Sequence, residues 1–367
     1  MAQQSGKLFL LFIEGFTKQI GGGDYHFSHL KNELMKRNDV DCLSISTVNS
    51  ENFNLFTVLT SSLRSLVRKL DSTLIPSKTS LILCEAPYPP HQILSLRIHL
   101  KYGIPLIVYY HHYIPLSFHP FNRGIFRSIA YFLYNNFTLI ILKVMGVIIS
   151  LDYPNDLHIK GITCIPNENA LPIEYLNANP NNFGVKTFDL CYVGRFEKHK
   201  GSKDLIKVVS ILREQGISLK VIVIGQVKSK TYLKTIRLLK RLHIFENFIF
   251  AGILSESDKI NTLMKSKIYI SLSYEEGWGL SVMQAAALSI PIVAYDLKAY
   301  SYLSDNIDTV KPGDLLGITE KIKFILIGGG PSLLKLNSSR KLVLKYSYEK
   351  ISENQITYYR NIVTMNS

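Results

Sequence analysis

At 367 residues the chain exceeds the usual size of one hydrophobic core, so two domains are the default. Its 47% apolar and 19% charged residues exclude a disordered chain, and its four scattered cysteines form no zinc-like or redox pair, which suits a reducing compartment. A formal charge of +14 implies an anionic partner (nucleic acid, phosphorylated substrate or acidic membrane face) without choosing among them.

The opening MAQQSGKLFLLFIEGF has too short an apolar run for a signal peptide, is interrupted by Glu14 and lacks a small-residue cleavage site. It predicts a first buried strand, LFLLFI, followed by the glycines Gly21, Gly22 and Gly23. CLSIST, LILCEA, PLIVYY and VIISL predict further strands, and all four cysteines fall in apolar runs read as buried strands. The Asp39-Val40-Asp41 triplet before CLSIST suggests a metal site only on paper; a solvated turn suits it better.

Asn54–Leu70 is a basic amphipathic stretch. Residues 122–143 predict an apolar, aromatic helix with Arg123, Arg127 and Lys143 near its ends. Asn135 and Asn136 make it a poor membrane span. Two readings stay open: a buried core helix, or an interfacial helix lying on an anionic leaflet.

Periodicity fails around Leu171–Phe183, where Pro and Asn collect, so the domain join is placed there: 1–171, then 172–345, then a terminal helix over 346–367. The second half repeats the pattern with FDLCYVG, LKVIVIG, NFIFAG, IYISLS and PIVAY as strands, and KDLIKVVSILREQG and EKIKFIL as helices. Strands this apolar, alternating with helices, imply parallel sheets covered on both faces: an α/β chain of two doubly wound domains with about five strands each.

Two motifs carry chemistry. Gly194-Arg195-Phe196-Glu197-Lys198-His199-Lys200-Gly201 follows the strand FDLCYV and precedes a helix. Ligands bind at the carboxyl ends of such strands, and a helix N-terminus there favours anions. Arg195 can grip phosphate oxygens with two donors while Lys200 adds a compact charge. An exposed basic loop is the plain alternative. The second motif, Glu276-Gly277-Trp278-Gly279-Leu280-Ser281-Val282-Met283-Gln284, follows IYISLS. Its glycines permit a tight turn and close backbone approach, and Glu276 and Gln284 are expected on the same ligand-facing side. A capped helix with an ordinary acidic turn is the alternative here.

In order and spacing these motifs resemble the retaining glycosyltransferases of family four (glycosyl transferases group 1), with Gly21 and Gly22 as the first glycine loop, PLIVYYHH as the strand ending in the active-site histidine, and KYSYEKISENQITYYRNIV as a terminal helix crossing back. The resemblance implies the GT-B fold, two Rossmann-like domains facing across a cleft, and transfer from a UDP- or GDP-linked sugar with no metal or other cofactor. It further implies that Arg195 and Lys200 hold the diphosphate, that Glu276 contacts the sugar, and that His111 (or His112) lies at the reacting centre. Gly194, Gly277, Trp278, Gly279 and Leu280 would line the donor site. Position 284 would meet the ribose, and it is Gln where the family usually has Glu. The implied partners are a nucleotide sugar and a saccharide or lipid-linked acceptor, with Arg123, Arg127 and Lys143 toward the acceptor or an anionic membrane. No nucleic acid is implied, and the expected location is cytoplasmic, peripheral on the inner face of the membrane. Three other readings stand beside it. A non-catalytic subunit of the same fold is kept alive by Gln284, against the intact Arg195, Lys200 and Glu276. A nucleotide-sugar epimerase or phosphorylase on the same fold fits the terminal helix and motif order less well, and a nucleic-acid binder explains the charge but not the glycine turns.

Overall fold

The computed structural model describes residues 7–15, 22–47, 55–71, 74–85, 89–110, 125–151, 162–166, 168–180, 185–331 and 333–366. They form two compact units, one built from the described residues up to 110 with 130–170 and 348–366, the other from 171–347 with 125–129.

The first unit alternates β1 (Leu8–Glu14), α1 (Gly22–Met35), β2 (Val40–Ser46), α2 (Leu55–Val67), β3 (Leu81–Glu85), α3 (Pro89–Tyr102), β4 (Leu106–Tyr110), α4 (Ile125–Val144, from residue 130 on), β5 (Ile148–Leu151) and β6 (Cys164–Pro166). Its six strands are all parallel, in the order β2-β1-β3-β4-β5-β6. Every residue of β3 and β4 is buried, as strands covered on both faces require. On one face α3 is the middle helix: Arg97 Nη1 donates to the carbonyls of Ser65 (2.7 Å) and Arg68 (3.0 Å) toward α2. On its other flank the Tyr134 hydroxyl of α4 donates to Gln92 Oε1 at 3.4 Å. Right-handed crossovers put α1 on the opposite face.

The second unit comprises α5 (Ile173–Asn177), β7 (Phe188–Val193), α6 (Ser202–Glu214), β8 (Val221–Ile224), α7 (Ser229–Arg241), β9 (Phe248–Gly252), α8 (Glu256–Met264), β10 (Ser266–Ser271), α9 (Leu280–Ala287), β11 (Ile292–Tyr295), β12 (Asp308–Val310), α10 (Leu315–Phe324) and α11 (Leu333–Leu344). Its six-stranded sheet has the order β12-β11-β10-β7-β8-β9 and is again parallel throughout. Leu190, Val221, Val223, Ile268, Ile270 and Val293 supply the strands' share of its core.

The last helix, α12 (Tyr348–Met365), returns to the first unit and packs on α1. Tyr359, fully buried, bonds its hydroxyl to that of Tyr109, Gln355 Nε2 donates to the Pro166 carbonyl at 2.9 Å, and Arg360 pairs with Asp39 at 3.0 Å.

Among the described residues each sheet holds six strands rather than about five. The additions, β6 and β12, are three-residue edge strands, too short to show a period. Asp41 lies within β2 instead of a turn; it pairs with Lys7 and Lys78, whereas Asp39 pairs with Arg37 and Arg360, so the two carboxylates serve different partners. All four cysteines are unbridged and lie in strands, but only Cys84 and Cys191 are buried. Cys42 and Cys164 sit half-buried because β2 and β6 are edges of their sheet. Burial pushes the Cys84 and Cys191 thiols up to about 12, which keeps them protonated and inert at neutral pH.

Tyr359→Ala should cost the first unit about 3–5 kcal/mol, since it opens a cavity and removes the bond to Tyr109. Guanidinium denaturation followed by circular dichroism should show that loss, and an unchanged midpoint would mean that α12 does not stabilise this unit.

Candidate active site

In an open parallel sheet the loops leaving adjacent strands diverge where the strand order reverses, and the crevice between them receives ligands. In the second sheet this happens between β7 and β10: the chain runs outward through β8 and β9 on one side and through β11 and β12 on the other. The two sequence motifs are the loops leaving these two strands.

The loops are locked together by backbone. Gly201, in the left-handed region at φ 75°, ends a single turn over Lys198–Lys200 and caps α6. A Cβ there would lie 2.0 Å from the Leu272 carbonyl oxygen, just past β10, so only glycine lets the loops approach this closely. The amide of Tyr274 also donates to the His199 carbonyl at 2.9 Å. Gly279, at φ 77°, repeats the device before α9: a Cβ would meet the Tyr300 ring at 2.3 Å. Both α6 and α9 thus begin on a glycine, with no side chain capping the first turn. Two sets of helix N-terminal amides, with their partial positive charge, lie at the ends of these strands.

On that frame Lys200 Nζ meets Glu276 Oε1 at 2.8 Å, with the side chains only 21% and 16% exposed. Arg195 lies in the same loop as Lys200, 40% exposed, with Nη1 3.9 Å from Glu197 Oε2. Buried Tyr192 fixes the loop from below, its hydroxyl donating to the carbonyls of Arg195 (2.9 Å) and Lys200 (3.2 Å). Trp278 is buried too, stacked on Tyr302 at 5.4 Å and edge-on to Tyr346, so the turn that carries Glu276 is anchored.

Glu197 escaped the sequence reading as a site residue. Besides Arg195 it faces Lys228 at 3.1 Å and His199 Nδ1 at 3.5 Å. Burial pushes its carboxyl up, but the hydrogen bond from Lys228 and the Arg195 charge outweigh that and hold it below the usual range. Lys228 follows β8, the strand beside β7, and nothing in linear order ties it to residue 197.

The remaining expected site residues are placed as follows. Gln284 lies in α9, eight residues after Glu276, and is only 2% exposed. Gly22 opens α1 and Lys143 is exposed in the last turn of α4, both in the first unit. Gly21, His111, His112 and Arg123 lie outside the described residues, and of Arg127 only its place in α4 is described.

The first sheet has its own reversal, between β1 and β3. There buried Glu85 ends β3 and accepts from the Gly15 amide at 3.3 Å. Burial, together with the carboxyl of Asp24 from the first turn of α1, raises Glu85 well above the ordinary carboxylate range. Buried His91 places Nδ1 3.0 Å from the Glu85 carbonyl oxygen, and desolvation lowers its pKa from 6.5 to about 4. No group of His, Cys, Asp and Glu suited to a metal ion occurs among the described residues.

Residues 176–341, nearly the whole second unit, match the family model described as glycosyl transferases group 1. A capsular polysaccharide biosynthesis glycosyltransferase, CapM of Staphylococcus aureus, is 28% identical over 142 residues; the match spans 38% of this chain and 37% of that relative. Among solved structures, a glycosyltransferase from Rickettsia africae superposes with a TM-score of 0.71 at 15% identity, over 97% of this chain and 99% of that one. The sucrose-phosphate synthase of Thermosynechococcus elongatus gives 0.76 at 12% identity, covering 98% and 100%. Anabaena HepE, solved with UDP and glucose, gives 0.67 at 13%, covering 96% and 99%. The fold is therefore GT-B.

Gly201→Ala forces a left-handed alanine against the Leu272 carbonyl, and should destabilise the second unit by about 2 kcal/mol or more. For His91 the sign is set by its lowered pKa: between pH 6.5 and about 4 the unfolded chain binds a proton that the folded chain refuses. Stability held above that window is lost as the pH falls through it, by up to about 3 kcal/mol. Raised Glu85 acts oppositely, losing stability as the pH rises. Urea titrations of wild type and His91→Asn at neutral pH and near pH 4 isolate the histidine: the acid-induced loss should shrink in the variant.

Proposed function

We propose that this chain, whose second domain is that of a group 1 glycosyltransferase, moves a hexosyl group from a UDP- or GDP-linked donor to a saccharide or lipid-linked acceptor beside the membrane. Transfer proceeds with retention of anomeric configuration and without a metal ion or other cofactor, on the cytoplasmic side. The observation that carries this reading is the Lys200–Glu276 pair at 2.8 Å, held at the β7/β10 reversal beside Arg195.

In a sugar nucleotide the anionic diphosphate is bonded directly to the hydroxyl-rich sugar, and the site offers a cation next to a carboxylate. Lys200 and Arg195 take the diphosphate, aided by the N-termini of α6 and α9, while Glu276 accepts bonds from sugar hydroxyls. As the bond from C1 to the phosphate oxygen breaks, the leaving diphosphate gains charge that these fixed cations stabilise, the task a metal performs elsewhere. The acceptor oxygen bonds to C1 on the same face, and its proton passes to the departing phosphate oxygen. Glu197, neutralised by Lys228, positions Arg195 without competing strongly for it. The UDP and glucose in the HepE structure favour a UDP-linked hexose. A second reading, a non-catalytic subunit that binds a glycan or a partner enzyme, is favoured by the buried neutral amide of Gln284.

Calorimetry against UDP, GDP, ADP and their sugar conjugates in the presence of a chelator tests the reading. One nucleotide should bind, and Arg195→Ala or Lys200→Ala should weaken it by about 10–100-fold, the worth of one charged hydrogen bond. NMR of the product should then show the donor's anomeric configuration. Binding without turnover would select the non-catalytic subunit, and no response to any nucleotide would overturn the donor site.

A further inference from the structure

In the layer α2-α3-α4 on one face of the first sheet, the two outer helices carry apolar side chains on the side away from the sheet. The buried side of α2 carries Ser61 and Ser65, while Leu59, Leu63 and Leu66 point outward, each more than half exposed. On α4 the inner side carries Thr138, Leu139 and Leu142, and Leu133, Phe137 and Ile140 stand 61–64% exposed. The spacing of the outward residues is three or four, one stripe along each helix. Across the sheet, α12 presents Lys350, Glu353 and Asn354 outward, as a solvated helix should. Soluble proteins rarely leave two such apolar stripes uncovered without a partner for them.

Charge identifies the partner. Neither α2 nor α4 contains a single Asp or Glu, whereas Arg64 and Lys143 flank the stripes, both exposed. A second copy docked face to face would bring further cations and no carboxylate from α2 or α4 to this surface. An anionic leaflet satisfies both features: acyl chains cover the leucines and phenylalanine, and headgroups meet the cations. No described helix is long and apolar enough to cross a bilayer, so the contact lies in the interface plane.

We infer that the α2–α4 face of the first unit docks on a membrane surface rich in anionic lipid. The inference deepens the reading of a membrane-borne acceptor and rests on it, yet its test does not need transfer. The full chain would be sedimented with phosphatidylcholine vesicles, with and without phosphatidylglycerol, at low and high salt. It should pellet with the anionic vesicles and be released by salt. The triple variant Leu133→Ser, Phe137→Ser, Ile140→Ser should stay in the supernatant with unchanged circular dichroism, and Leu63→Ser with Leu66→Ser should weaken binding independently. Arg64→Glu with Lys143→Glu should lower partitioning about thirtyfold or more, chiefly onto anionic vesicles. Failure of the wild type to pellet with either vesicle overturns the inference. So does vesicle binding indifferent to these variants, or a dimer in light scattering that the triple variant dissociates. Nucleotide binding measured on the same samples separates the two ideas: its loss would sink the donor site and leave the docking result standing.

Discussion

The contact of Gly201 with the Leu272 carbonyl is the constraint on which the second unit's site depends. Two loops leaving neighbouring parallel strands normally splay apart, because each must feed a helix on its own course. Here a missing Cβ lets one backbone lie against the other, and that closeness brings Lys200 and Glu276 to 2.8 Å. The same economy recurs at Gly279, which starts α9 against Tyr300. Each glycine also leaves its helix N-terminus without a side-chain cap, so amides that Ser or Asp would otherwise occupy are directed to the strand ends.

The Lys200–Glu276 pair belongs neither to the surface nor to the deep interior. Exposed ion pairs contribute about 0–1 kcal/mol, and deeply buried ones carry a desolvation cost that rivals their attraction. At 21% and 16% exposure this pair is partly shielded from solvent. In the proposed function it is open enough to trade partners with a ligand that brings its own anion and hydroxyls. Tyr192 beneath the loop and the Trp278–Tyr302 stack anchor the pair, since neither motif loop can drift without breaking buried contacts.

Much of this was legible in the primary structure, and the reasons are physical. Strands such as β7, β8 and β10 are apolar runs bounded by glycine or polar turns, and a parallel sheet admits little else. Arg195, Lys200 and Glu276 stand out in the sequence because glycines mark the loops that carry them, and the sheet order sets those loops side by side. β6 and β12 were missed, being three residues long. The Glu197–Lys228 pair was missed because it joins loops of adjacent strands, a relation that only sheet order reveals. Glu85 and Asp24 meet for the same reason at the other reversal. Gln284, read as meeting the ribose, is buried in α9 together with Ala285, Ala286 and Ala287, and its burial is not visible in linear order. The apolar stripes of α2 and α4 were visible as composition, whereas their outward direction was not, since a core helix and an interfacial one share that composition.

The central claim is a division of labour inside one ion pair, with Lys200 serving the diphosphate and Glu276 the sugar. The direct measurement is calorimetric binding of free UDP and of a UDP-linked hexose to wild type, Lys200→Ala and Glu276→Ala. The account predicts that loss of Lys200 weakens both ligands alike, while loss of Glu276 weakens the sugar-linked ligand and spares free UDP. Equal weakening of free UDP by both substitutions would contradict it.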